Sequence, residues 1–140
     1  MILGIGVDVV EIARIERAVE RYGERFLERV FSPGERDYSG SNEFPAPHLA
    51  ARFAAKEAAM KVLGTGWARG VRWRDIELVR FEAQAPRLVL SGRALALSQA
   101  GGITRWHVSV SHSGGVALAF VVGEGCRAGA HERGRGAGEE

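Results

Sequence analysis

An α+β domain, helices packed on a small antiparallel sheet, is what this 140-residue sequence predicts. Three observations carry that reading. The chain opens on a strand pattern rich in β-branched residues, Ile2 to Val10. From Glu11 the apolar period changes to helical spacing. Two strand-like runs, Trp106 to Ser111 and Val116 to Val122, then meet across Ser113-Gly114-Gly115, a hairpin signature.

The elements between follow in order. Ile12, Ile15, Val19, Tyr22 and Phe26 recur at helical spacing, and Gly23 is where that stretch can divide into two helices. Ser32-Pro33-Gly34-Glu35 has Ser as N-cap, Pro at the first helical position and Glu at the third. Ser39 to Pro47 reads as a loop. His48 to Leu63, rich in Ala, Lys, Glu, Met and Leu, is the strongest helix, stopped by Gly64-Thr65-Gly66. Asp75 to Phe81 and Arg87 to Leu90 read as strands, turning through Gln84-Ala85-Pro86, and Ser91 caps a short helix ending at Gly101-Gly102. In the hairpin, Trp106, Val108 and Val110 share one face and His107, Ser109 and Ser111 the other. From Gly123 six glycines stand among polar residues without apolar periodicity, so residues 1–123 are expected to form the domain and 124–140 a disordered tail.

Composition narrows the function classes. A 46% hydrophobic and 26% charged chain is ordinary for a soluble globular protein. A net charge of +2 argues against a nucleic-acid partner. The lone Cys126 excludes an internal disulfide. The apolar N-terminus is short, has no basic leader and is interrupted by Asp8, so it reads as a strand and not a signal peptide. No run approaches the roughly 18 uncharged apolar residues of a membrane span. A cytoplasmic protein with no membrane partner is the expectation.

Four groups of residues can carry chemistry. Asp8 closes an apolar strand, where a carboxylate either needs a partner or caps the helix that follows. Glu57 and Lys61 share a helix face at i, i+4, as either a solvated ion pair or part of a site. Together Asp8 and Glu57 suit one Mg²⁺, which prefers a few carboxylates, waters and substrate phosphates, with Lys61 in reach of a phosphate. Ser109-Val110-Ser111-His112-Ser113 places hydroxyls and an imidazole at a strand end, which suits phosphate binding or a solvated turn. Arg14, Arg17, Arg21, Arg25 and Arg29 recur every three or four residues, as a solvated face or a docking edge for an acidic protein.

The combination and order of these motifs resemble one family. Gly4-Ile5-Gly6-Val7-Asp8-Val9-Val10-Glu11-Ile12-Ala13-Arg14-Ile15 resembles the N-terminal motif of holo-acyl-carrier-protein synthases, the AcpS type of 4′-phosphopantetheinyl transferase. Ala51-Arg52-Phe53-Ala54-Ala55-Lys56-Glu57-Ala58 with Lys61 and Gly64-Thr65-Gly66 resembles the family's central helix, and His107-Val108-Ser109-Val110-Ser111-His112-Ser113 its third motif. The resemblance implies the family's fold and transfer of 4′-phosphopantetheine from coenzyme A to a serine of apo-acyl carrier protein, in support of fatty acid biosynthesis. It implies Asp8 and Glu57 as magnesium ligands, and Arg52, Lys61, Gly64, Thr65, Gly66, Ser111 and His112 near coenzyme A. It further implies Arg14, Arg21 and Arg25 at the carrier protein, and a homotrimer with sites between subunits. Glu57, or Glu35 through a water, is a candidate base, and Lys61 a candidate stabiliser of transferred charge. The rival readings are a non-catalytic coenzyme A or nucleotide-binding module docking an acidic protein, and a transferase for secondary-metabolite carrier domains.

Overall fold

The computed structural model describes residues 1–40, 45–64, 70–81 and 83–127. Strand β1 (Ile2–Glu11) leads into helices α1 (Ile12–Tyr22), α2 (Glu24–Val30), α3 (Pro33–Gly40) and α4 (Pro45–Leu63). A single 3-10 turn (Trp73–Asp75) precedes β2 (Ile76–Val79) and β3 (Arg87–Leu90), followed by α5 (Gly92–Ala100), β4 (Ile103–Ser113) and β5 (Val116–Gly125). β1, β5 and β4 make an antiparallel sheet in that order, and β2 and β3 a separate antiparallel pair. The α+β class is as expected, with the strands divided between two small sheets.

Local chemistry sets several boundaries. Gly23, at φ 55° and ψ −131°, divides the first helical stretch. The arginine row therefore does not lie on one helix: Arg14, Arg17 and Arg21 are on α1, Arg25 and Arg29 on α2. Tyr22, one of the residues at apolar helical spacing, is exposed, with the Arg21 guanidinium 5.5 Å from its ring centroid. Ser32 and Glu35 form the anticipated capping box: the Glu35 N–H donates to Ser32 Oγ at 3.2 Å and the Ser32 N–H to Glu35 Oε1 at 3.0 Å. α4 starts at Pro45, inside the expected loop, because a proline has no N–H to leave unpaired in a first helical turn. Gly114 (φ 58°) and Gly115 (φ 82°) make the two-residue turn between β4 and β5, positive φ at both positions matching the twist of the strands. β5 continues past the expected boundary at 123: Gly123 pairs with Gly4, Gly125 pairs with Ile103, and the Cys126 N–H donates to the Gly102 carbonyl at 3.0 Å. The remainder of the expected tail, residues 128–140, lies outside the described residues.

α4 is the central element. Its Ala50, Ala54, Ala55, Ala58 and Ala59 have no exposed surface, and Phe53 and Met60 are buried beside them. Helix and sheet approach so closely because both present small residues. A Cβ on Gly6 would stand 2.0 Å from the Ala58 carbonyl oxygen, and one on Gly4 2.9 Å from Val62 Cγ1. The inward face of β1 is thus Gly4, Gly6, Asp8 and Val10, and the two glycines bring the strand that carries Asp8 hard against the helix that carries Glu57 and Lys61.

The opposite face of the same sheet is bare. Ile5, Val7 and Val9 on β1 stand beside Val116, Leu118 and Phe120 on β5, all exposed. The register pairs Val7 with Phe120 and Val9 with Leu118, so these side chains form one contiguous apolar patch.

Candidate functional site

Asp8 lies on β1, and α1 starts only at Ile12 with Glu11 at the cap position, so the capping alternative for Asp8 falls away. Its partner is Lys61, whose Nζ is 3.3 Å from Asp8 Oδ1 and donates to the Val7 carbonyl at 2.8 Å. Lys61 thus reaches across to the strand from α4. Glu57 is half-buried one turn before it. Burial first, and the neighbouring Asp8 charge second, hold the Glu57 carboxyl above the usual carboxylate range, against the pull of Arg14 and Lys61. Two adjoining carboxylates that repel each other in a partly dry site are a natural cation seat. Among the described residues no group of three or more His, Cys, Asp or Glu side chains could hold a metal. A divalent cation at Asp8 and Glu57 would therefore complete its shell with water and ligand oxygens, as Mg²⁺ characteristically does.

A second centre lies on the other side of α4. A pocket of about 260 Å³ is lined by His48, Arg52, Leu78, Arg80, Pro86, Val110, Ser111 and His112 among others. Arg52 is 3% exposed, donates to the His48 carbonyl at 3.2 Å, and rests its guanidinium 4.3 Å from the Tyr38 ring centroid. Its Nε is buried without a hydrogen-bond partner among the described residues. The His48 ring meets that of His112 edge-on at 6.1 Å, and burial, then Arg52, His112 and Arg80, hold the His48 imidazole below its usual range. Crowded cations, an orphaned buried N–H and a strand-end hydroxyl suit a phosphate.

The two centres lie on different sides of α4. Arg52 and Glu57 are five residues apart on α4, about 140° around the helix axis. Across the sheet, Asp8 pairs with Ala119 and Ala119 with Val110, two strand spacings or roughly 10 Å.

Glu35 is not placed for the role of a base acting through water. It is 1% exposed, and its Oε1 lies 2.7 Å from Lys56 Nζ while Oε2 accepts from the Leu78 N–H at 3.2 Å. A carboxylate with both oxygens committed in the interior has no water to activate. Gly64 ends α4 in the left-handed conformation expected of it, at φ 72°, whereas Thr65 and Gly66 lie outside the described residues. Of the arginines, Arg14 is exposed, stacks its guanidinium 5.5 Å from the Phe53 ring centroid, and is close enough to Glu57 to lower its pKa. Arg21 and Arg25 are exposed further along.

His48, Arg80 and Tyr38 were not singled out from the sequence. Arg80 follows the last residue of β2 and is exposed, so no burial pattern in the sequence marks it. Nothing in the sequence links His48 or Tyr38 to Arg52 beyond the helical spacing of the first.

Comparison with known proteins assigns the chain to a family. The model of the 4′-phosphopantetheinyl transferase superfamily matches residues 4–121. A holo-[acyl-carrier-protein] synthase from Methylobacterium sp. is 51% identical over 131 residues, covering 91% of this chain and 97% of its own length. The crystal structure of the holo-[acyl-carrier-protein] synthase from Neisseria meningitidis superposes with a TM-score of 0.79 at 38% identity, covering 89% of this chain and 99% of that one. The Helicobacter pylori synthase in complex with coenzyme A superposes at 0.75 and 35% identity, covering 86% and 99%.

Proposed function

Because the chain belongs to the 4′-phosphopantetheinyl transferase superfamily, we propose that it is a holo-acyl-carrier-protein synthase, moving 4′-phosphopantetheine from coenzyme A to a serine of apo-acyl carrier protein. The serine oxygen bonds to the phosphorus that carries pantetheine, the bond to the other phosphate of the pyrophosphate breaks, and adenosine 3′,5′-bisphosphate leaves. The observation that carries the reading is the pairing of Asp8 and Glu57 beside Lys61, together with a cationic pocket whose buried Arg52 Nε has no partner among the described residues.

Asp8 and Glu57 would hold Mg²⁺, which supplies charge neutralisation on the pyrophosphate. Lys61, exposed at the mouth of the site, orients a phosphate as a point charge. Arg52, Arg80, His48 and His112 hold a second phosphate group of coenzyme A by charge-assisted hydrogen bonds. Glu57 is the candidate base, a positioned carboxylate being a group that can take the proton of the carrier serine. The test is a mass shift of an apo-carrier protein incubated with coenzyme A and Mg²⁺. A series of apo-carriers without any shift would overturn the assignment, and the ranking of rates among them separates fatty-acid carriers from secondary-metabolite carriers.

Arg14, Arg21 and Arg25 form the proposed docking edge for the acidic carrier. Arg14 sits nearest the transfer site through Phe53 and Glu57. Arg14→Glu and Arg21→Glu are each expected to raise the carrier KM while leaving coenzyme A binding intact. The carrier KM should also climb with salt more steeply than that for coenzyme A, since exposed charges are screened over about 8 Å at physiological ionic strength. An unchanged carrier KM in both variants at low salt would make the row a solvated face.

A homotrimer is the proposed assembly. Its support is the bare apolar face of β1 and β5. Sedimentation should give a trimer, and Phe120→Asp, in the middle of the patch, should give an inactive monomer. A stable, active wild-type monomer at micromolar concentration would refute it. A cytoplasmic location and a place in fatty acid biosynthesis belong to the same proposal. No described helix is long and apolar enough to cross a membrane, and Ile2–Glu11 is an integral strand of the sheet.

A further inference from the structure

Two cations are buried one turn apart on α4, Arg52 at 3% and Lys56 at 0% exposure, and one buried carboxylate, Glu35, faces them. Lys56 Nζ lies 2.7 Å from Glu35 Oε1 and donates to the carbonyls of Trp73, at 3.1 Å, and Ile76. Its three N–H groups are therefore all used. Glu35 accepts from the Ser32 N–H at Oε1 and from the Leu78 N–H at Oε2. Lys56 ties α4 to α3 and to the 3-10 turn, and Glu35 ties α3 to β2. Ser32 heads α3, which brings Tyr38 against Arg52. Trp73 and Ile76 bracket the 3-10 turn. Leu78 lies on β2, two residues before Arg80.

The walls that this pair joins are the walls of the cationic pocket. Its lining comes from α4, β2 and β4, and its charges are like charges that repel one another across the gap. That repulsion favours separation of β2 from α4, against the core packing of Ile76 and Leu78. The pair supplies both a tie and a counter-charge: Glu35 offsets burial in supporting the charged form of Arg52. One positive charge still exceeds the buried negative charge of this trio, and Arg52 Nε has no partner among the described residues.

The geometry points to Glu35 and Lys56 as positioning residues for coenzyme A: the buried pair holds β2 and α3 against α4 so that Arg52 and Arg80 close on one phosphate, without touching it themselves. This rests on the reading of the pocket as a coenzyme A phosphate site.

The experiment compares wild type, the double variant Glu35→Gln with Lys56→Met, and Arg52→Gln. Changing both partners removes one charge of each sign, so the trio keeps the single net positive charge it has in wild type. Adenosine 3′,5′-bisphosphate is the binding probe, measured calorimetrically beside KM and kcat for coenzyme A. The double variant, folded at the assay temperature, is expected to lose at least tenfold in affinity for the probe, with KM rising by a like factor and kcat changing less than threefold. If the double variant is folded and binds as wild type while Arg52→Gln binds weakly, the positioning role is wrong and the pair is only a staple. If Arg52→Gln also binds as wild type, the pocket is not the phosphate site and the underlying reading falls with it. Should the double variant not fold, amide exchange on wild type decides. Coupling is reciprocal, so saturating probe should slow exchange of the Ser32 amide, which bonds Glu35 and does not line the pocket, at least tenfold more than that of Ala94 on α5. Equal slowing overturns the proposal.

Discussion

Glu57→Gln is expected to cost about 10²–10⁴-fold in turnover, the scale on which a positioned carboxylate contributes to proton transfer or charge stabilisation. The fold should survive. Glutamine keeps the shape and removes a charge that burial and Asp8 both disfavour. Folding that raises a carboxyl's pKa favours its protonated form, so the wild-type side chain weighs against stability increasingly as pH rises above the ordinary carboxylate range. Without ligands at neutral pH the variant should therefore melt no lower than wild type, and its advantage should shrink as pH falls. Mg²⁺ alone should raise the melting temperature of wild type more than that of the variant. The measurements are the mass-shift rate and thermal denaturation with and without Mg²⁺. Near-wild-type turnover would remove Glu57 from the site and revive the reading of a non-catalytic binding module.

Gly6→Ala should have the largest effect on stability. The new Cβ would stand 2.0 Å from the Ala58 carbonyl oxygen and 3.2 Å from Val62 Cγ2. The obstacle is backbone, not a side chain that can rotate away. β1 and α4 must separate, opening the core around Ala54, Ala58 and Ala59. The cost should be about 3 kcal/mol, the upper end for overpacking, and the melting temperature should fall by about 10 °C for a domain of this size. The same separation carries Asp8 away from Glu57 and Lys61, so residual folded protein should bind Mg²⁺ weakly. Gly114→Asn is the control. A Cβ there meets nothing within 4 Å, and asparagine tolerates the positive φ of the turn. A melting temperature for Gly6→Ala within two degrees of wild type would show that the strand and helix do not need this contact.

These two positions also separate what was legible from what was not. The Ser32–Glu35 capping box and the Gly114-Gly115 hairpin were readable because their signals lie within a few residues along the chain. The Gly23 break was readable for the same reason. Gly4 and Gly6 could be read only as part of a resembling motif, since what forbids a side chain there lies more than fifty residues away on α4. Glu35 shows the limit most sharply. Its local pattern correctly gave the cap, yet its proposed role as a base fails because its carboxylate also meets Lys56 and Leu78, from elements far along the chain. The single arginine row was a product of one helical wheel, and Gly23 set its two halves on different helices.

The sequence by itself determined the class of fold, the order of its elements and the motif set that identifies the superfamily, because periodicity, caps and turns are short-range properties of the backbone. Tertiary structure alone decided what each charged residue does. Lys61 could have paired along its own helix and reaches to Asp8 on the strand, while Arg52, Arg80, His48 and His112, from three separate elements, share one pocket. A charge takes its role from whatever surrounds it within a few ångströms, and in a folded chain that neighbourhood is assembled by packing, here by an alanine-lined helix lying against a glycine-bearing strand.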